Sequence, residues 1–165
     1  HALLDYAERL ETALGLPLGA TAARRSRPLP APDPTFLRLA VCGAHMSGLP
    51  LNHELSSRGG RFVGTTRTAA QYRLYALAGG PPRRPGLVQV TGEGAGIEVE
   101  LWDLPLAEVG SFLGGVPAPL GIGTLQLADG TRVKGFICEA AACGDAEDIT
   151  SYGGWRGFLR GPAAV

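Results

Sequence analysis

The pattern of apolar and polar residues divides the chain into a helical start, a linker and a longer body. From Ala2 to Leu14, apolar residues recur at helical spacing and charged residues occupy the other faces. This spacing predicts an amphipathic helix, which needs a surface to cover. From Gly15 to Pro34 the chain is rich in glycine, proline, alanine and arginine. Such a composition cannot build a core and predicts a linker.

The body, from Phe36 to about Leu159, contains many short runs that are typical of strands because they alternate in polarity or are rich in β-branched residues. The predicted strands span residues 37–41, 61–68, 72–77, 87–91, 97–104, 123–127 and 132–139. Short helices are predicted at 51–57 and 105–113, the second with a proline in its first turn, where proline is tolerated.

The turn signals between these strands predict two hairpins and a fold class. We expect residues 87–91 to pair with 97–104 across the turn GEGAG, and 123–127 to pair with 132–139 across the Ala-Asp-Gly turn at 128–130. Many short strands with brief turns and few helices predict an α+β protein, built on an antiparallel sheet that curls into a barrel.

Composition excludes several classes of partner. The 165-residue chain carries 15 basic and 15 acidic residues, so no bulk field draws it to nucleic acid or to an anionic membrane. Any anion binding must therefore be local. No apolar run approaches the roughly 20 residues that span a bilayer, and no signal peptide is visible. The chain begins with His1 rather than methionine, so we expect the full protein to carry another domain upstream.

The three cysteines, Cys42, Cys138 and Cys143, are odd in number and lack the paired spacing of zinc ligands. This usage indicates a reducing cytoplasm rather than a disulfide framework. Cys42 ends an apolar strand, so we expect a buried, inert thiol rather than a nucleophile. We expect no metal and no other cofactor.

The loop after the first strand carries the leading candidate for chemistry, His45. Glycines at both ends of this loop allow backbone angles at which successive N–H groups converge on an anion, so a small, negatively charged ligand is expected there. The loop residues considered for ligand binding are Gly43, Ala44, Met46, Ser47 and Gly48. An imidazole titrates near neutral pH, which suits proton transfer. The alternative is that His45 only caps its turn by hydrogen-bonding a carbonyl.

Two cations, Arg73 and Lys134, lie within predicted strands. Each either reaches solvent or points into a polar cavity, where it could hold a carboxylate. Tyr72 adjoins Arg73 and is a further candidate for that neighbourhood. Gly135 follows Lys134, and a glycine inside a strand permits close approach of a ligand or of another backbone.

The segment 116–124 combines prolines, which fix backbone angles, with glycines, which free them. It is predicted to be a loop that forms either a rigid pocket wall with exposed amides or a barrel corner. Its candidate binding residues are Leu120, Gly121, Ile122 and Gly123. The sequence contains no Gly-x-Ser-x-Gly nucleophile elbow, which argues against the hydrolases that use one.

Several long strings of the body resemble the C-terminal domain of allophanate hydrolase. They are AVCGAHMSGLPLNHEL, RFVGTTRTAAQYRLYAL, VELWDLP, VPAPLGIGTLQLADGTRVKGF and EDITSYGGWRGFL, in this order between Phe36 and Leu159. The resemblance implies a fold like that of the gamma-glutamyl cyclotransferases, a small mixed, mainly antiparallel β-barrel with flanking helices. It also implies that residues 1–35 are the end of an upstream amidase domain and a linker, and that 36–165 form the C-terminal domain.

One segment departs from the cyclotransferase pattern. Those enzymes use a catalytic glutamate in the segment that here reads FLGGVPAPLG, residues 112–121, and this segment contains no carboxylate. The resemblance therefore argues for the cyclotransferase architecture and against the cyclotransferase reaction.

The resemblance implies a different reaction at the Gly-Ala-His loop. In this family the amidase domain releases ammonia from allophanate during urea degradation, and the C-terminal domain promotes decarboxylation of the N-carboxycarbamate that remains. The histidine of the loop is the acid/base group, which places this role on His45. Backbone N–H groups at 43–48 and 121–123, together with Arg73 or Lys134, could offset the charge of a dianionic substrate.

Two other functions stay open. The domain could be a non-catalytic assembly or stabilising module of the amidase, because N-carboxycarbamate is labile, or it could bind small carboxylates without transferring a proton. The expected partners are a small carboxylated substrate and the upstream amidase domain of the same polypeptide, with a homodimer left open. No nucleic-acid or membrane partner is expected.

Overall fold

The computed structural model describes residues 30, 31 and 33–161. The predicted helix at 2–14 and nearly all of the predicted linker lie outside the described residues. The strands are β1 Phe36–Val41, β2 Arg61–Arg67, β3 Tyr72–Ala76, β4 Pro85–Gln89, β5 Glu98–Pro105, β6 Leu120–Gln126, β7 Arg132–Cys138 and β8 Glu147–Asp148. The helices are α1 His53–Ser56, α2 Leu106–Gly114 and α3 Trp155–Arg160, with 3-10 turns at Ala140–Cys143 and Thr150–Tyr152.

A five-stranded sheet in the order β2-β5-β1-β7-β6 contains much of the core. β1 lies at its centre, antiparallel to β5 and parallel to β7, with Leu39 opposite both Trp102 and Lys134. The second half of β1, which ends at Val41, is buried, as expected of a strand covered on both faces. This mixed, mainly antiparallel sheet with few helices confirms the predicted α+β class.

The pairing predicted between residues 87–91 and 97–104 is wrong. β4 instead pairs with β3, with Leu74 opposite Leu87, and β8 completes a separate sheet in the order β4-β3-β8. β5 pairs with β1 and β2, and its residues 99–102 are all buried. A strand buried in this way needs a partner on each edge, and local turn signals do not reveal which strands those are.

The five-stranded sheet does not close into the predicted barrel. Its edge strands, β2 and β6, meet only just beyond their ends, through a bridge between Thr68 and Leu127. There, Ala128 N–H also donates a hydrogen bond of 2.9 Å to the carbonyl of Arg67. Closure requires the edge strands to pair along their length, and contact at one end leaves the sheet open.

The segment 116–124, predicted to be a loop, becomes a strand from Leu120 onward. β6 pairs with β7 over its whole length, which confirms the hairpin predicted around 128–130. Gly123 leaves space in this pair, because a Cβ there would lie 2.7 Å from Cδ1 of Ile137. Glycine in this strand therefore accommodates a neighbouring side chain, a requirement that sequence alone does not separate from loop flexibility.

Both short helices of the body are present. α1, at His53–Ser56, is shorter than the predicted span 51–57, and α2, at Leu106–Gly114, lies close to the predicted span 105–113. Phe112 of α2 is only 2% exposed. In the part of the chain that the structure describes, no helix has the length and apolar character needed to cross a membrane.

Candidate active site

The loop that follows β1 is a series of tight turns held by its own backbone. Met46 N–H donates to the carbonyl of Gly43 at 2.9 Å, and Leu51 N–H donates to the carbonyl of Ala44 at 2.9 Å. Gly43 is required for close packing, because a Cβ there would lie 2.5 Å from Cδ of Pro85. The loop is therefore pressed against the start of β4.

His45 is held by a carboxylate on one side and by aromatic rings on the other. Its Nε2 lies 2.9 Å from Oε2 of Glu54, and its side chain is 13% exposed. Its ring stacks on Phe136 with 4.9 Å between centroids and meets Phe112 edge-on at 5.4 Å. The amide of Asn52 donates to the backbone carbonyl of His45 at 2.8 Å, which fixes the turn below the ring.

The contact with Glu54 determines which ring nitrogen of His45 is available to a ligand. An ionised carboxylate only accepts hydrogen bonds, so Nε2 carries a proton and donates it to Glu54. Among the described residues Nδ1 has no hydrogen-bond partner. The ring therefore does not bond a carbonyl of its own turn, and Nδ1 remains as the nitrogen that can exchange a proton with a bound molecule.

The pKa of His45 lies below the ordinary value for histidine. Burial lowers the pKa because it disfavours the charged imidazolium. The hydrogen bond and charge of Glu54 raise it, and electrostatic interactions with Arg84 and His53 lower it again. The net shift is downward, so the imidazole is neutral near pH 7 while the site holds no anion.

His45 faces a cavity of about 80 Å³. The cavity combines the polar side chains of His45, Glu54 and Arg84 with an apolar wall that includes Val116, Leu120 and Phe136. Its complete lining consists of Cys42, Gly43, Ala44, His45, Leu51, Glu54, Arg84, Pro85, Gly115, Val116, Pro117, Leu120 and Phe136. Small-molecule sites are typically of this kind, with an apolar surface and a few convergent polar groups.

Two charged residues of this cavity, Glu54 and Arg84, were not predicted from the sequence. Glu54 follows His45 by nine residues, and only the series of turns between them brings the two side chains together. Arg84 belongs to the string PPRRP just before β4. The sequence signal that could have found Glu54 is the single carboxylate in the string GAHMSGLPLNHEL, whereas Arg84 has no such local signal.

A buried carboxylate, Glu100 of β5, takes the loop amide that was expected to bind a ligand. Its Oε2 accepts hydrogen bonds from Ser47 N–H at 2.7 Å, from Ser47 Oγ at 2.9 Å and from Trp102 Nε1 at 3.0 Å. Its Oε1 accepts one from Arg156 at 2.6 Å. Burial by itself would raise the pKa of Glu100, but these hydrogen bonds outweigh it and hold the pKa below its usual range.

The structure divides the other predicted loop residues between several environments. Gly43 and Ala44 line the cavity with His45, as does Leu120 from the start of β6. Met46 is completely buried beneath the loop, and Gly48 is exposed at a φ of 75°. Gly121, Ile122 and Gly123 follow Leu120 along β6 and are not part of the cavity lining.

Both strand cations lie away from the cavity. Arg73 donates to the carbonyl of Glu93 at 2.9 Å and pairs with Asp148 at 3.3 Å. Lys134 donates from Nζ to Oγ1 of Thr124 at 3.0 Å and borders a separate, mostly apolar groove that Ile122 also lines. Tyr72 is 1% exposed, and its hydroxyl accepts a hydrogen bond of 2.9 Å from the backbone N–H of Gln126.

The cysteines are free and buried. Burial raises the pKa of Cys42 to about 12, so its thiol is protonated at neutral pH and is a poor nucleophile although it lines the cavity. Among the described residues, no cluster of histidine, cysteine, aspartate and glutamate side chains could hold a metal ion.

The domain therefore combines an open sheet of the α+β class with a small cavity lined by a histidine, a glutamate and an arginine. Residues 37–160 match the family model for the allophanate hydrolase C-terminal domain. The chain therefore belongs to the allophanate hydrolase C-terminal domain family.

Two yeast proteins named urea amidolyase share the same region. The protein from Saccharomyces cerevisiae is 42% identical in an alignment of 132 positions that covers 77% of this chain. The one from Lachancea kluyveri is 41% identical in an alignment of 127 positions that covers 74%. The matched region makes up only 7% of each of these relatives. The chain thus corresponds to a small part of much larger polypeptides.

Solved structures support the same family. The S177A variant of Kluyveromyces lactis allophanate hydrolase is 35% identical with a TM-score of 0.74, covering 84% of this chain and 24% of that one. The protein c4763, described as specific to uropathogenic E. coli, is 39% identical with a TM-score of 0.71, covering 78% of this chain and 98% of that one. In c4763 the matched region is therefore almost the whole chain.

Proposed function

We propose that this domain promotes the decarboxylation of N-carboxycarbamate, the product that an amidase domain of the same polypeptide makes from allophanate. The observation that carries the proposal is the pairing of His45 with Glu54 at the wall of a small cavity, in a chain of the allophanate hydrolase family. The name of the yeast relatives, urea amidolyase, supports a role in urea degradation. Its compartment would be the cytoplasm, where buried cysteines stay reduced.

The proposed decarboxylation requires the transfer of one proton to the substrate nitrogen. The bond between the substrate nitrogen and the departing carboxylate carbon breaks, and its electron pair stays on nitrogen. Nδ1 of a protonated His45 gives its proton to that nitrogen as the charge develops. The products are carbon dioxide and carbamate, and His45 regains its proton from water.

Glu54 and the bound anion together make His45 a suitable acid. Glu54 holds the Nε2 proton at 2.9 Å and stabilises the imidazolium. A dianion in the cavity adds negative charge beside the ring and opposes the effect of burial, so substrate binding raises the pKa of His45. The acid is therefore formed when substrate is present.

Stopped-flow measurement of carbon dioxide release tests this proposal. N-carboxycarbamate is generated in place by an allophanate amidase, and the chain is added as wild type, as His45→Ala or as the control His53→Ala. His53 is exposed, and its side chain hydrogen-bonds the carbonyl of Pro50 at 2.9 Å. Since general acid catalysis contributes about 10²- to 10⁴-fold, we expect His45→Ala to lose the acceleration and His53→Ala to keep it.

Circular dichroism and the melting temperature check that both variants are folded. A folded His45→Ala variant that releases carbon dioxide as fast as wild type would overturn the catalytic role. If wild type itself gave no acceleration while a dicarboxylate still bound the cavity, the domain would be a carboxylate-binding module instead.

A further inference from the structure

Arg84 is a charged side chain of the cavity for which the described residues provide no hydrogen-bond or ion-pair partner. Its Nε is buried and forms no hydrogen bond, and no carboxylate in the described part of the chain pairs with its guanidinium. By contrast, Arg38 pairs with Asp103 at 2.8 Å and Arg156 pairs with Glu100 at 2.6 Å. A buried polar group left without a partner costs free energy, so such groups are rare and are concentrated where a ligand completes them.

The backbone around Arg84 fixes its position beside the His45 loop. The carbonyl of Arg84 accepts a hydrogen bond of 3.0 Å from Leu77 N–H, which closes the hairpin between β3 and β4. The next residue, Pro85, packs against Gly43 so closely that no Cβ fits there. Arg84 and His45 therefore line one cavity from two different elements, and the guanidinium charge acts directly on the imidazole.

We propose that Arg84 is the carboxylate-binding residue of this cavity and that the site takes small dicarboxylates, one carboxylate on Arg84 and the rest of the molecule against His45. The guanidinium presents parallel N–H donors that match the two oxygens of a carboxylate. This inference rests on the proposed function for the identity of the substrate. It assigns to Arg84 the charge compensation that the sequence suggested for Arg73 or Lys134.

The arrangement also favours loss of one particular carboxylate. A carboxylate paired with a guanidinium is stabilised as an anion, so the group on Arg84 is the one retained in the carbamate product. The other carboxylate then lies towards the apolar wall of Phe136, Val116 and Leu120, where a charge is poorly solvated and neutral carbon dioxide is favoured.

Isothermal titration with malonate tests the role of Arg84 without requiring catalysis. The proteins are wild type, Arg84→Gln, Arg84→Lys and the control Arg83→Gln. Arg83 is the neighbouring residue, is exposed, and contacts the ring of Phe158 at 5.2 Å outside the cavity. The control therefore removes the same charge one position away.

We expect Arg84→Gln to weaken malonate binding by about 10- to 100-fold, because a charge-assisted, two-point contact is lost. Arg84→Lys keeps the charge but lacks the parallel N–H donors of the guanidinium. Its affinity for malonate is expected to lie between those of wild type and Arg84→Gln. Arg83→Gln is expected to stay within about twofold of wild type, since surface charges contribute little.

Unchanged malonate affinity in folded Arg84→Gln would overturn the inference, as would failure of wild type to bind malonate. A His45→Ala variant separates this result from the proposed function. If His45→Ala binds malonate and still accelerates carbon dioxide release, the proposed reaction fails and the binding role of Arg84 stands. Equal loss of affinity in Arg83→Gln and Arg84→Gln would also overturn the inference. The loss would then follow from the change in net charge rather than from a direct contact with Arg84.

Discussion

Replacing Glu100 with glutamine should loosen the loop that carries His45. The carboxylate accepts three hydrogen bonds on Oε2 and one from Arg156 on Oε1. Glutamine has one oxygen and one NH₂ group. If the oxygen faces Ser47 and Trp102, the NH₂ group meets the donors of Arg156, and in the opposite orientation it meets the other donors. Either way at least one donor loses its acceptor: the half-buried Arg156 in the first case, and the buried Nε1 of Trp102 together with the Ser47 donors in the second.

The magnitude follows from these contacts. One lost charge-assisted hydrogen bond costs about 1.5–3 kcal/mol, and a buried donor without a partner costs about 1–3 kcal/mol. Because the two contributions overlap, we predict that Glu100→Gln lowers the free energy of unfolding by about 2–4 kcal/mol. For a domain of this size that corresponds to a fall in Tm of roughly 6–12 °C at pH 7.

The effect should depend on pH with a definite sign. The folded protein holds the pKa of Glu100 below its usual range, so this stabilisation is present above the pKa of the unfolded chain and is lost as the pH falls through the folded pKa. Thermal melts followed by circular dichroism from pH 7 to pH 3 should therefore show that the difference in Tm between wild type and Glu100→Gln becomes smaller below about pH 4.5. The exposed control Glu147→Gln should change Tm by no more than about 2 °C. If Glu100→Gln had the same Tm as wild type at pH 7, the reasoning would be refuted.

Two further predictions concern the rest of the site. In Glu54→Gln, His45 loses the carboxylate that raises its pKa, so its imidazole resonances should titrate at lower pH than in wild type; titration at unchanged or higher pH in NMR would contradict the assigned contact. Gly43→Ala places a Cβ against the ring of Pro85, so chemical denaturation should show a loss of about 1–3 kcal/mol, and wild-type stability would contradict the packing of the loop on β4.

Local sequence signals predicted the parts of this protein that depend on neighbouring residues. The hairpin of β6 and β7 was predicted because Asp129 and Gly130 form its turn, where Gly130 adopts a φ of 87°. The loop of His45 was predicted for the same kind of reason, since its glycines mark the end of β1. Turn chemistry acts over a few residues and is visible in the sequence.

The features that were missed depend on contacts between distant parts of the chain. Glu100 reaches Ser47 across 53 positions, and Arg84 meets His45 only because the hairpin of β3 and β4 packs on the loop. The partners of β5 likewise follow from which faces are buried in the assembled sheet. Hydrophobic pattern indicates that a strand is buried and leaves its neighbours in the sheet undetermined.

The dependence of carbon dioxide release on the concentration of the wild-type chain tests the central claim most directly. With N-carboxycarbamate generated by a fixed excess of separate amidase, an acid/base domain should increase the release rate in proportion to its own concentration, and malonate should suppress the increase. A release rate that stays constant as the chain is added would contradict the claim that this domain accelerates the reaction.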